Sequence, residues 1–248
     1  MTITSPHNDQ LKEIRKLAGR KWRDKVRQFV AEGEDLLAAA ARAGWSPEAV
    51  YVADGSGLDG VPVAPHVLAG VSQLGSGTRA LAVYGQRWAP APHGPVCLAL
   101  WGVNDPGNVG TALRSALAFG AASVALGPGS ADPYGPKAVR ASMGALFEVP
   151  VVRVRGAGEL PGRKIALVAR EGRRLGELEP GGEVTLVVGA ERVGLPAAVV
   201  AACDEVAHIP IRSESLNAAM AATVGLYELE RERSGDERSA RGRMRADA

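Results

Sequence analysis

The stretch VCLALWGVNDPGNVGTALRSALAFG, residues 96–120, reads as a buried strand, a glycine-rich turn and a helix in immediate succession. Val96 to Trp101 is apolar on consecutive positions, the pattern of a strand covered on both faces. Residues 110–118 then carry helical spacing. The alternation continues toward the C-terminus, with strands expected at 123–126, 148–154, 164–169, 185–188 and 206–209. Helices are expected between them at 137–143 and 196–202, and after the last strand at 216–230. Such an order predicts an α/β domain over 96–230, a parallel sheet with helices on both sides.

Upstream, residues 86–95 hold Pro90, Pro92 and Pro95, which make a semi-rigid connector and mark a domain boundary. The preceding 85 residues read as a small α/β unit. Leu11, Ile14 and Leu17, then Trp22, Val26 and Phe29, recur at helical spacing with a break at Gly19. A helix over 34–42 stops at Gly44, a helix is expected over 66–74, and strands over 49–53 and 80–84. Residues 231–248 carry almost no large apolar side chain and are expected to form a disordered, charged tail.

With 46% apolar and 23% charged residues, the chain is neither wholly disordered nor collagen-like. Cys97 and Cys203 are too few for a disulfide framework or a cysteine-rich zinc site, and read as buried small hydrophobes. The four histidines lack metal-ligand spacing, so no metal is expected. No apolar run approaches the ~18 residues needed to span a bilayer, and the N-terminus lacks a signal-peptide layout, so the expected location is cytoplasmic. The net charge of +2 hides a segment, residues 12–27, with eight basic and two acidic side chains. Lys12, Arg15, Lys16, Arg20, Lys21, Arg23, Lys25 and Arg27 are candidate phosphate contacts, against the alternative of a solvated helix face.

Three segments carry the chemistry. In the first, Asn104, Gly107, Asn108 and Gly110 form a tight turn at a helix N-terminus, with Arg114 one helical turn past Gly110. In the second, LVVGAERVGLP (186–196), Glu191 stands in a glycine-bracketed loop after a strand, where open α/β sheets bind ligands. In the third, IPIRSESLNAAMAATVGLYEL (209–229), Ser215 is placed to cap a helix whose alanines permit close approach. Taken singly, an ordinary βα turn, a turn carboxylate and a packed helix explain each segment equally well. Gly70 and Gly75 have P-loop spacing, but Ser76 stands where the lysine is needed. No GxGxxG fingerprint opens the Val96 unit, which speaks against a nicotinamide-dependent oxidoreductase.

In this order the three segments resemble the SpoU (TrmH-like) family of ribose 2′-O-methyltransferases of the SPOUT superfamily, and residues 1–85 resemble its small RNA-recognition domain. The resemblance implies a SPOUT-type knotted parallel sheet with a C-terminal trefoil knot. It implies S-adenosylmethionine held by Gly189, Ile209, Ile211, Leu216 and Glu191, and a catalytic group of Arg114, Asn104, Glu191, Ser215 and Asn217. A homodimer acting on structured RNA follows from the same likeness, with 23S rRNA ahead of tRNA. A non-catalytic RNA-binding protein that kept the fold is the reading of a different class. Ala218-Ala219-Met220 departs from the Val-Ser-Val-like sequence common in relatives.

Overall fold

Two sheets organise the chain, and the structure, a computed structural model, describes residues 1–73, 77–179 and 181–246. Ser76, the position that breaks the P-loop pattern, lies outside the described residues, as does Leu74 at the end of one expected helix. One compact unit comprises Met1–Arg87 and Asp132–Glu148, and the other comprises Trp88–Ala131 and the chain from Val149 onward. Residues 132–148, read from sequence as part of the second domain, therefore pack with the first unit.

In the first unit, Asn8 caps α1 (Asp9–Lys16), its Oδ1 accepting from the N–H groups of Gln10 at 2.9 Å and Leu11 at 3.3 Å. The second basic helix, α2 (Arg20–Val26), ends at Arg27 in the left-handed conformation, φ 59°. The chain then enters β1 (Gln28–Glu32), which alternates side chains between two faces. Helix α3 (Glu34–Arg42), strands β2 (Ala49–Ala53) and β3 (Val61–Val63), helix α4 (Pro65–Ala69) and strand β4 (Ala80–Gly85) complete the first 87 residues. The sheet order is β1-β4-β2-β3, with β4 antiparallel to both neighbours and β3 parallel to β2. On one face, Val30, Tyr51 and Val83 pack with Leu11, Ile14 and Leu17.

The other face explains why residues 132–148 belong here. Phe29 lies 4.8 Å from the Tyr134 ring and 6.1 Å from that of Phe147, and Trp45 and Tyr84 join the same cluster. The Trp45 indole N–H donates to the Phe147 carbonyl at 2.8 Å, and the Arg87 guanidinium stands 4.1 Å over the indole ring. Aromatic pairs of this kind add about 0.5–1.5 kcal/mol each beyond buried area. Five of the chain's scarce rings are spent in this core, none of them on a base-stacking surface.

Arg23 is the correction in this unit. Expected among the phosphate contacts, it is 4% exposed. Its Nε and Nη2 donate to Asp132 Oδ2 at 3.0 and 2.8 Å, and its Nη1 donates to the carbonyls of Leu17 and Ala18, both at 2.7 Å. Every donor faces the interior, so Arg23 presents nothing to a solvent-borne ligand.

In the second unit, β5 (Val96–Trp101) leads into α5 (Pro106–Ala118), and β6 (Ser123–Leu126) follows. The helix Pro136–Ser142, packed in the first unit, is α6. Strands β7 (Val151–Arg153), β8 (Arg163–Val168), β9 (Arg173–Arg174) and β10 (Val184–Gly189) come next, then α7 (Ala197–Ala201), β11 (Glu205–His208) and α8 (Ala218–Ala246). All seven strands run parallel in the order β7-β6-β5-β10-β8-β11-β9. β10 thus lies between two strands that precede it in the chain. Gly225 lets α8 settle on β10, since a Cβ there would stand 2.5 Å from Leu186 Cδ2.

The segment from Arg231, expected to be disordered, is helical to Ala246. Arg, Glu and Ala favour helix without tertiary help, and Arg231 pairs with Glu228 three residues back at 2.6 Å. Cys97 is fully buried, and burial pushes its thiol above the ordinary range. Cys203 is only partly buried, its Sγ 3.2 Å from the Val199 carbonyl, which qualifies the expectation of a buried hydrophobe. Among the described residues no helix is long and apolar enough to cross a membrane, and no three His, Cys, Asp or Glu side chains gather as a metal site.

Candidate active site

Strand register brings the three segments together. Gly189 is level with Trp101, Val188 with Leu167, and His208 with Val168, so the carboxyl ends of β5, β10, β8 and β11 form one edge. Every loop leaving that edge opens on the same side, the position where parallel sheets bind ligands. A cavity of about 440 Å³ lies there. Gly189, Glu191, Ile209, Ile211, Ser215 and Leu216, all expected at the site, line it. Ala218 and Ala221 of α8 also line it, so the small-residue face serves both the cavity and the packing of the helix. Gly189 is required sterically: a Cβ there would stand 2.4 Å from the carbonyl carbon of Gly194, in the loop that folds back over the strand end.

A chain of side-chain hydrogen bonds ties the segments. Asn108 Nδ2 donates to Glu191 Oε1, and Asn217 Nδ2 donates to Asn108 Oδ1 at 3.0 Å. Asn217 Oδ1 accepts from the backbone N–H groups of Ala219 at 3.0 Å and Met220 at 3.3 Å. Asn217, rather than Ser215, therefore caps α8. The expected cap lies two residues too early because Ser215 and Leu216 are drawn along the cavity wall before the helix begins. From sequence, Asn108 reads only as a turn former. Its place as the link between Glu191 and Asn217, residues 83 and 109 positions away, is a tertiary fact that its neighbours in sequence do not carry.

Arg114 and Asn104 are not brought into contact with this chain. Both are exposed, Arg114 on α5 and Asn104 on the turn before it, and neither has a hydrogen-bond or ion-pair partner among the described residues. Asp105 caps α5 instead, accepting from the Gly107 N–H at 2.6 Å. The α5 N-terminus is thus held in place while its guanidinium remains unengaged.

On the first unit, Lys12, Lys16, Arg20, Lys21, Lys25 and Arg27 are exposed, and Arg15 is half-buried. Lys12 and Lys16 pair with Asp9 and Glu13 at 2.8 and 2.6 Å, and Arg20 lies 3.5 Å from Asp24. Arg15 donates to the Pro6 carbonyl at 2.7 Å. Lys16 and Lys25 flank the Trp22 ring at 4.8 and 4.7 Å from its centroid, each retaining its charge. Lys21, Lys25 and Arg27 are the least committed of the set.

Comparison with known proteins places this arrangement. The profile of the SpoU rRNA Methylase family matches residues 95–227, and that of an MRM3-like substrate binding domain matches residues 8–75. The chain is 29% identical over 243 residues to the 23S rRNA (guanosine(2553)-2′-O)-methyltransferase RlmP of Bacillus subtilis, covering 92% of this chain and 98% of that one. The AdoMet-bound rRNA methyltransferase from Sinorhizobium meliloti superposes with a TM-score of 0.84 at 28% identity, over 93% of this chain and 97% of that one. The SpoU methyltransferase AviRb from Streptomyces viridochromogenes, in complex with AdoMet, superposes with a TM-score of 0.82 at 26% identity, over 92% and 98%. The chain belongs to the SpoU rRNA methylase family.

Proposed function

We propose that the protein methylates a ribose 2′-hydroxyl of structured RNA with S-adenosylmethionine as donor, and that 23S rRNA is the substrate. The convergence of three loops on one cavity, tied by the Glu191–Asn108–Asn217 hydrogen bonds, carries this reading. RlmP acts on 23S rRNA, and its likeness runs over nearly the whole chain, which favours rRNA over tRNA. The cavity fits the donor: its volume falls within the range of ~300–1,000 Å³ usual for such ligands, and its largely apolar walls also carry Arg170, Glu171, Glu191 and Ser215 and the backbone of the glycine loops. Gly189, Ile209, Ile211 and Leu216 would hold it, with Glu191 and Ser215 beside it. When bound, the donor supplies a methyl group on a sulfonium centre.

The chain's own residues must then orient the acceptor. A guanidinium is a delocalised cation that keeps its charge in proteins, so Arg114 acts as a charged fork and not as a base. It holds the target phosphate and polarises the 2′-hydroxyl, and the proton leaves to that phosphate or to water. Glu191, fixed through Asn108 to Asn217, sets the loop that faces the acceptor, and Asn104 lies on the approach. The deciding experiment transfers tritiated methyl from S-adenosylmethionine to unmodified 23S rRNA and maps the product. Label resistant to base removal and blocking alkaline cleavage at one nucleotide is expected; label on a base would overturn the ribose assignment.

The basic face of α1 and α2 contacts the RNA backbone in this reading. Lys21→Glu with Lys25→Glu should weaken RNA binding and lower the slope of log K against log salt by ~0.7–0.9 for each phosphate no longer neutralised. An unchanged slope returns this face to solvent. Deleting residues 1–85 is the poorer test, because it strips Phe29, Trp45 and Tyr84 from Tyr134 and Phe147.

A second copy of the chain completes the assembly. Leu117 on α5 and Met220, Val224 and Tyr227 on α8 are 39%, 62%, 40% and 52% exposed, apolar side chains left open on two helices that pack together. Leu117 stands three residues from Arg114 on the same helix, so a partner seated there also closes over the guanidinium. Light scattering should find the wild-type chain dimeric and the Tyr227→Glu variant monomeric; variant dimers that persist rule this surface out.

A further inference from the structure

Beside the cofactor cavity lies a second concavity that the proposed reaction leaves unused. It has a volume of about 520 Å³ and is lined by Ala169, Pro210 and two isoleucines, together with Arg170, Arg174, His208 and Arg212. The register places its basic side chains. His208 is level with Arg174 of β9 and Val168 of β8, so Arg174 and His208 sit at the carboxyl ends of neighbouring strands. Arg170 and Arg212 follow on the loops that leave β8 and β11 from the same edge.

Among the described residues, no acidic side chain lines this groove. Arg174 approaches Glu177 only at 3.8 Å, with both side chains more than half exposed, a weak pairing. Arg170 and Arg212 are exposed and have no hydrogen-bond or ion-pair partner among the described residues. The Nδ1 of His208 is buried without a partner among them. Three guanidinium groups, of which only Arg174 has a carboxylate near it, and an imidazole form a surface for an anion that supplies several oxygens, and planar guanidinium forks match phosphate oxygens two at a time.

The groove shares Ala169, Arg170, Ile209 and Ile211 with the cofactor cavity. An anion held in it lies one wall away from the donor. A free phosphate ion would fill little of the volume, whereas a nucleotide with its flanking phosphodiesters suits both the size and the charge. We propose that the groove formed by Arg170, Arg174, His208 and Arg212 grips the phosphodiester backbone of the RNA strand that carries the target nucleotide. The proposal rests on the methyltransferase reading for the identity of that strand, and only on the groove for its chemistry.

The test uses the full chain with Arg174→Ala and Arg212→Ala combined, two side chains outside the cofactor cavity. Binding of a fluorescein-labelled oligouridylate is followed across salt concentrations, and S-adenosylmethionine binding is followed by calorimetry. The double variant should bind the oligonucleotide on the order of ten-fold more weakly near 0.1 M salt, with a slope lower by ~0.7 for each phosphate released from its guanidinium. Cofactor affinity should not change, and the paired lysine substitutions should restore most of the slope. Unchanged RNA affinity and slope in an enzyme that still methylates RNA would overturn the groove alone. Loss of inorganic phosphate binding with RNA binding intact would also overturn it, leaving a small-anion site. A wild-type protein that shows the groove-dependent slope but methylates no RNA would instead refute the methyltransferase reading and keep the groove.

Discussion

Arg114→Ala is expected to lower the rate of methyl transfer by roughly 10²–10³-fold, the range spanned by loss of one preorganised charged donor at the reacting group. The structure makes this substitution a clean probe. Arg114 is exposed on α5 and bonded to nothing among the described residues, so its removal should move the unfolding free energy by no more than an ordinary surface change, about ±0.5 kcal/mol. It does not line the cavity, so affinity for S-adenosylmethionine should stay within about twofold. Arg114→Lys separates charge from geometry: a point charge cannot hold a phosphate with two parallel hydrogen bonds, so most of the loss should remain. Single-turnover methyl transfer with calorimetry of the same preparations reads both quantities. Near-normal turnover by the alanine variant removes Arg114 from the reaction.

The second large effect falls on stability. Asp132→Ala leaves the Arg23 guanidinium buried with no carboxylate, and should cost about 3–5 kcal/mol. The pair is fully engaged, with both carboxylate oxygens used: Oδ2 takes two donors from Arg23, and Oδ1 accepts from the Tyr134 N–H at 3.0 Å. Desolvating the pair is itself expensive, so replacing both members by apolar residues, Arg23→Met with Asp132→Leu, should recover much of the loss. Urea denaturation followed by near-ultraviolet circular dichroism, which reports the aromatic cluster beside the pair, measures both variants. Equal stabilities for Asp132→Ala and wild type would mean that solvent reaches Arg23.

Where the sequence was legible, one physical signal dominated. The strands at Val96–Trp101 and Ser123–Leu126 fall where consecutive apolar residues predict them, because both faces of a central parallel strand are covered. Helix Glu34–Arg42 begins and ends as its glycine and charge pattern require. By contrast, β9 is two arginines and β3 three residues around a proline; neither carries a periodicity, and only pairing with a neighbour makes them strands. Residues 132–148 show their own helix in sequence, but not the ring cluster that takes them to the first unit. Arg23 looks no different from the seven cations around it, and only Asp132, a hundred and nine residues away, sets it apart. Among site residues, Gly189 and Glu191 were legible because a glycine-bracketed loop at a strand end marks itself, whereas Ser215 read only as a helix cap and Leu216 was reached only through the family resemblance. Asn108 was half-legible, visible as a turn residue but not as a link.

The seating of β10 between β5 and β8 has a bearing on how the molecule is born. Its two neighbours leave the ribosome first, and if they joined edge to edge the slot for residues 184–189 would vanish. The nascent protein must therefore hold that gap unfilled through the synthesis of the stretch after β8, then admit β10 sideways between two strands already made, before β11 in turn enters between β8 and β9. Partner residues at β5 and β10 lie eighty-eight positions apart, so this closure depends on contacts remote along the chain, the kind that assemble slowly. Ribosome-stalled fragments ending before residue 184 should accordingly be protease-sensitive throughout the second unit.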